Sequence, residues 1–184
     1  MDHFNLIAPI YEYLIHPGHS DRLITYADLP VIGLLLDAGG GTGRIAQAVS
    51  GLVTRAIVAD LSFNMLRQGI IKKNIIAVCS NAESLPFKNA IFERIFMVDA
   101  FHHVNHQKFA LQELWRVLKP GGKLIIQEPD IRNVYVKLVA LMEKILLMRS
   151  HFLTPESIAG LLKFYSTNIR VEADKYTTWI IAEK

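Results

Sequence analysis

A single cysteine, Cys79, stands among the 184 residues. That excludes an intrachain disulfide and any multi-thiolate metal site. Cys79 closes the apolar run Ile75-Ile76-Ala77-Val78-Cys79, so a buried, inert thiol is expected. Excess charge of one sign is scarce as well. Lys plus Arg is 20 against 17 for Asp plus Glu, a net charge of +3. No Lys/Arg-dense stretch is interleaved with aromatics, and nucleic acid is not expected as a partner. Met1-Asp2-His3-Phe4 lacks the basic lead and apolar core of a secretory signal. The longest apolar stretch, Val134 to Met148, is interrupted by Lys137, Glu143 and Lys144. It is too short and too charged to cross a bilayer, so the expectations are no integral membrane segment and a cytoplasmic location. Internal repeats and low-complexity tracts are also missing. Hydrophobic residues make up 51% and charged residues 20%, which excludes a disordered chain. One domain over residues 1–184 is expected, large enough to bury a core without staples.

Short apolar runs alternate with amphipathic segments. Ile32–Asp37, Ala56–Asp60, Ile75–Cys79, Ile91–Val98 and Lys123–Glu128 read as five buried strands. Gly43–Val49, Ser62–Gln68 with Ser62 as N-cap, and Gln107–Leu118 read as helices, the last stopped by Pro120-Gly121-Gly122. Near-continuous apolar strands separated by helices indicate a parallel sheet covered on both faces. Asn168–Ala173 and Thr177–Ala182, joined through Asp174-Lys175-Tyr176, imply a terminal hairpin with one antiparallel edge. The fold class is therefore α/β: a Rossmann-like, doubly wound, seven-stranded sheet, mostly parallel with a terminal antiparallel hairpin. Phe4, Ile7, Ala8, Ile10, Tyr11 and Leu14 have helical spacing, which places a helical lid within residues 1–28. Ile131–Met148 and a helix opened by Thr154-Pro155-Glu156 form a short helical segment over 131–166.

The strongest local signal is Asp37-Ala38-Gly39-Gly40-Gly41-Thr42-Gly43, which follows a strand and opens a helix. Glycines permit positive φ and let the backbone approach a ligand, and a helix N-terminus offers N–H groups to an anionic group. A nucleotide pyrophosphate or an amino-acid carboxylate would satisfy both features. The dinucleotide fingerprint is G-x-G-x-x-G. Here Arg44 occupies its third position, and the glycines run Gly39, Gly41, Gly43 with an acid two residues before the first. Asp60 ends the second strand, where a carboxylate can accept both hydrogen bonds of a ribose diol. Its bland alternative is a helix cap or a solvated strand-end acid.

Leu35–Gly43 resembles the first motif of class I S-adenosylmethionine (SAM)-dependent methyltransferases. Val58–Leu66 is similar to that family's second-strand acid and following helix, Asn81–Phe87 to its adenine-contacting loop, and Leu114–Gly122 to its turn into strand five. The wording is closest to the branch that includes the ubiquinone/menaquinone C-methyltransferases, whose N-terminal cap Phe4–Tyr11 also resembles. The resemblance covers about residues 4–130. It implies SAM as methyl donor, with S-adenosylhomocysteine as product, and a small-molecule methyl acceptor. By position, Gly39, Gly41, Thr42 and Gly43 would approach the methionine end, and Asp37 would hold its amino group. Asp60 would take the ribose hydroxyls, Leu61 and Met65 the adenine faces, and Asn81-Ala82 the adenine edge. Val98-Asp99-Ala100 would line the cofactor and face the acceptor. Tyr11 or Phe101 would lie near the sulfonium, with packing as the alternative.

Methyl transfer from a sulfonium needs alignment and exclusion of water, not a covalent enzyme intermediate. An acceptor with an acidic proton would need a base, and His102, after strand four, is the candidate catalytic residue at the mouth of the site. Its alternative is a histidine that packs at the strand–helix junction. His102 and His106 have i, i+4 spacing, but no H-E-x-x-H pattern or nearby thiolate accompanies them, and no metal is expected. The apolar helix within 134–148 reads as core packing or a homodimer face, or else as the wall of a lipophilic acceptor pocket or a membrane-surface contact. The segment from Asp130 to Thr167 is shorter than in the quinone branch, so the acceptor stays open. A nicotinamide-dependent oxidoreductase is disfavoured by Arg44 and by the lack of a Tyr-x-x-x-Lys pair. A non-catalytic partner subunit of the same fold is the other alternative.

Overall fold

The computed structural model describes residues 19–69, 74–145 and 150–184. The expected helix over residues 4–14, with Tyr11, lies outside them. The elements in chain order are α1 His19–Tyr26, β1 Val31–Ala38, α2 Arg44–Val49, β2 Val53–Asp60, α3 Phe63–Gly69, β3 Ile75–Cys79, β4 Phe92–Val98, α4 Gln107–Val117, β5 Leu118–Pro129, α5 Val134–Ile145, α6 Pro155–Leu162, β6 Ile169–Ala173 and β7 Thr177–Glu183. The strands form one seven-stranded sheet in the order β3-β2-β1-β4-β5-β7-β6. The pairs from β3 to β5 are parallel, and β7 runs antiparallel to both β5 and β6.

Period-two alternation within the strands builds the two faces. Leu36, Ile95, Ile126 and Ile180 pack with Leu111 and Leu114 of α4 and Ile158 and Leu162 of α6. Their neighbours Leu35, Phe96, Ile125 and Ile181 pack on the other face with Leu23 of α1, Ala46 and Val49 of α2 and Leu66 of α3. A sheet apolar on both faces has to be covered twice, which is why the strands lack polar alternation.

Three local features differ from the sequence reading. Cys79 is exposed, because β3 is an edge strand with Ile76 and Ala77 exposed as well. Pro120-Gly121-Gly122 does not simply stop α4. The helix ends at Val117, and these residues form an irregularity in β5, where the pairing jumps from Phe92–Leu118 to Arg94–Lys123. Gly121, at φ 75, donates its N–H to Lys184 O at 2.7 Å. Finally, α5 is not a core helix among the described residues. Val136 and Glu143 are its buried residues, whereas Leu138, Leu141 and Met142 are more than half exposed. Thr154 caps α6 as expected, its side chain accepting the Ser157 N–H.

Candidate cofactor and acceptor site

β1 lies between β2 and β4, so the strand order reverses at its C-terminal end. Doubly wound sheets open a crevice for ligands at such a switch point. Four acids end the strands around it: Asp37 one residue before the end of β1, Asp60 at the end of β2, Asp99 just after β4 and Glu128 near the end of β5.

The glycine loop fills this corner closely. Gly39, Gly41 and Gly43 have φ of 70, 55 and 74, respectively. A Cβ on Gly39 would stand 2.6 Å from Ala100 Cβ, and one on Gly43 would stand 3.1 Å from a Val58 methyl. Gly43 thus performs the close helix-to-strand packing that a dinucleotide motif assigns to its third glycine, one position before Arg44. Gly41 faces Met65, whose Cε would lie 3.2 Å from a Cβ added there.

The chain's own acids take donors that the sequence leaves to a ligand. Asp60 Oδ2 accepts the Gly41 N–H at 2.8 Å and Oδ1 accepts the Ser62 N–H at 2.7 Å. Asp60 therefore fixes the glycine loop and caps the turn into α3. A carboxylate has about four acceptor positions, so two remain for a diol. Asp37 is 1% exposed, and its Oδ2 accepts the Ala46 N–H at 3.1 Å. Its Oδ1 is buried without a hydrogen-bond partner. Loss of solvation pushes the Asp37 carboxyl up to about 7, the Ala46 N–H opposing and the nearby Asp60 charge adding to it. A buried carboxylate with one orphaned oxygen suits a cationic donor.

The remaining cofactor candidates gather at the same end. Leu61 is 72% exposed and Met65 half-buried beside Gly41. Thr42 is partly buried, and Val98 and Asp99 lie at the end of β4. Asn81 is exposed, and its Oδ1 accepts the Glu83 N–H at 2.9 Å, with Ala82 packed against the core between them. Asp99 adopts φ 50 and donates its N–H to Gln127 O at 3.0 Å. Desolvation, with the charge of Glu128 adding, lifts its carboxyl to about 7. Tyr11 is outside the described residues.

His102 does not stand at the mouth of the crevice. It is 0% exposed, in a single 3-10 turn over Phe101–His103, and its ring stacks on Phe152 with centroids 4.3 Å apart. The i, i+4 pairing with His106 also fails, because His106 is exposed at the N-cap of α4 rather than on a helix with His102. Instead His102 Nδ1 meets Glu128 Oε2 at 2.6 Å. The same buried carboxylate accepts the Phe101 N–H at 2.8 Å.

Sequence reasoning missed Glu128, although an acid ending an apolar strand is the signal that found Asp37 and Asp60. It also missed the clip beneath the Asn81–Phe87 loop. Arg116 donates to Glu113 at 2.7 Å, to Phe87 O at 2.7 Å and to Leu85 O at 3.0 Å, while Glu113 accepts the Leu85 N–H at 2.8 Å. Glu83 Oε1 accepts the Asn105 and His106 N–H groups, each at 3.1 Å, and ties this loop to the start of α4. The structure also brings together a grouping that sequence spacing does not show: His102, His103 and Glu143 offer ligand atoms within 4.8 Å of one another.

The switch-point crevice, the three-glycine loop and the two strand-end acids define a class I SAM-dependent methyltransferase domain. Residues 36–126 match the family model described as a methyltransferase domain, and the chain belongs to that class, related to the UbiE quinone C-methyltransferases. It is 35% identical over 136 residues to the ubiquinone/menaquinone biosynthesis C-methyltransferase UbiE of Coxiella burnetii (strain Dugway 5J108-111), covering 68% of this chain. The chain spans about half, 54%, of that relative's length. Among solved structures, the YcgJ protein of Bacillus subtilis superposes with a TM-score of 0.77 at 21% identity, covering 86% of this chain and 71% of that one. A SAM-dependent methyltransferase of Thermotoga maritima, titled a possible histamine N-methyltransferase, gives a TM-score of 0.77 at 22% identity over 98% of this chain and 97% of that one. At those identities the two structures show the fold alone.

Proposed function

We propose that this chain transfers a methyl group from SAM to a small lipophilic acceptor of quinone-like chemistry, in the cytoplasm. The observation that carries the cofactor half is the orphaned, buried Oδ1 of Asp37 beneath the glycine loop. An ammonium such as that of the methionine moiety would give it the partner it lacks. Asp60 would take the ribose hydroxyls with its two remaining acceptor positions. Leu61 and Met65 would flank the adenine, and Asn81-Ala82 its edge. Gly39, Gly41, Thr42 and Gly43 would let the backbone approach the methionine end. Bound SAM would supply a methyl group already activated by a positive sulfur.

The chain's remaining task is to align the acceptor and remove any proton it loses. Asp99 suits the proton. Its carboxyl is lifted to about 7, near the optimum for a general base at neutral pH, and it is less deeply buried than His102. His102, 0% exposed, would not touch the acceptor. The segment carrying α5 and α6 would form the acceptor side. The exposed Leu138, Leu141 and Met142 of α5 and the relation to UbiE support a lipophilic acceptor.

Calorimetry should show SAM and S-adenosylhomocysteine binding, with Asp60→Ala much weaker while the fold stays intact by circular dichroism. Tritiated methyl from SAM should then enter the lipid-soluble fraction of a cell extract, and Asp99→Asn should lower the rate more than the affinity for SAM. Absence of SAM and S-adenosylhomocysteine binding to the folded wild-type protein would end the cofactor assignment. Label confined to water-soluble products would end the lipophilic one.

A further inference from the structure

His102, His103 and Glu143 come from two elements far apart in sequence. The histidines sit in the turn after β4, and Glu143 lies on α5. One ligand atom from each falls within 4.8 Å of the other two. His102 is 0% and Glu143 2% exposed. A carboxylate buried on a helix whose described apolar residues mostly face solvent reverses the usual pattern.

The histidine beside it is already oriented. Glu128 Oε2 lies 2.6 Å from His102 Nδ1 and fixes the tautomer in which Nδ1 carries the proton. The opposite nitrogen, Nε2, is buried and has no hydrogen-bond partner. A carboxylate holding Nδ1–H while Nε2 points elsewhere is the arrangement that supports metal-bound histidines. The second imidazole belongs to His103, which is partly buried. Its Nδ1 is 3.3 Å from Ser150 Oγ.

We propose that His102, His103 and Glu143 bind one divalent cation of the zinc class, with Glu128 orienting His102. Two imidazoles and one carboxylate suit zinc and its first-row neighbours rather than magnesium or calcium, which favour all-oxygen sets. The ion would join α5 to the ends of β4 and β5 and give His102 Nε2 a partner. This assignment does not depend on the methyl-donor reading. The competing arrangement is metal-free, with a protonated His102 held between Glu128 and Glu143.

The test uses the full chain, stripped with a chelator and dialysed. Zn²⁺ is titrated in by calorimetry, Co²⁺ is used as a visible-absorbing probe, and thermal melting is followed with and without Zn²⁺. The expected result is one equivalent per chain, a higher melting temperature, and histidine-ligated Co²⁺ absorption. His103→Asn and Glu143→Gln should each weaken binding at least tenfold, and Glu128→Gln should weaken it by about 10–100-fold. Both ligand substitutions are polar and close to isosteric, so at least one should fold. No saturable binding to wild type would overturn the site. So would binding undiminished in a folded His103→Asn or Glu143→Gln variant, which would place the ion on other histidines of the chain.

Discussion

Replacing Gly39 with alanine tests the geometry on which the cofactor site rests. Gly39 has φ +70, and an added Cβ would lie 2.6 Å from Ala100 Cβ. Alanine in the left-handed region costs about 1–2 kcal/mol. Carbon atoms pack at about 3.5–4.0 Å, so the loop and Ala100 would have to separate by about an ångström. Overpacking of that kind costs about 1–3 kcal/mol. The sum, about 2–5 kcal/mol, is a large part of the total stability of about 5–15 kcal/mol of an ordinary domain. The assay is urea unfolding of Gly39→Ala, Ala100→Gly and the double variant, each with SAM calorimetry. The double variant should recover the steric part, giving a coupling energy of about 1–3 kcal/mol, and should keep the strain part. Gly51→Ala is the control. It has no positive φ and nothing within 4 Å of the added atom, so it should be neutral or slightly stabilising. A Gly39→Ala variant as stable as Gly51→Ala, or no rescue by Ala100→Gly, would refute the close Gly39–Ala100 contact.

Two further expectations follow from burial. Asp37, with its carboxyl lifted to about 7 by lost solvation, binds a proton in the native state at pH values where the unfolded chain has released it. Its contribution to stability therefore falls as pH rises between about 4 and 7, by at most about 4 kcal/mol. His103, pushed down to about 3, works in the opposite sense, so the comparison is wild type against Asp37→Asn. Denaturant melts from pH 5 to 8 should show the variant gaining relative stability as pH rises, and a parallel pair of curves would refute the desolvated carboxyl. On α5, Leu138→Ser should change stability by no more than about 0.5 kcal/mol, since Leu138 is 57% exposed. Val136→Ala, at 7% exposure, should cost about 1–3 kcal/mol. Equal losses in the two would mean that the outer face of α5 is covered.

Local pattern was enough to recover most of the fold. Strand and helix periodicities along β1 to β5, the Thr154-Pro155 helix start and the short Asp174–Tyr176 connection are properties of neighbouring residues. They survive folding because period-two and period-3.6 burial have only one consistent arrangement here. The glycine loop and the acids at Asp37 and Asp60 were legible for the same reason: backbone conformation and strand ends are written locally. What only the tertiary structure decided is long-range and depends on burial. The place of β3 at the sheet edge exposed Cys79. The turn after β4 buried His102 under Phe152 and separated it from His106. The pairing of β5 beside β4 brought Glu128 to His102, and the return of α5 brought Glu143 beside both histidines. These contacts join residues tens of positions apart. A sequence period fixes which face a side chain is on, but only the packed chain fixes what that face meets.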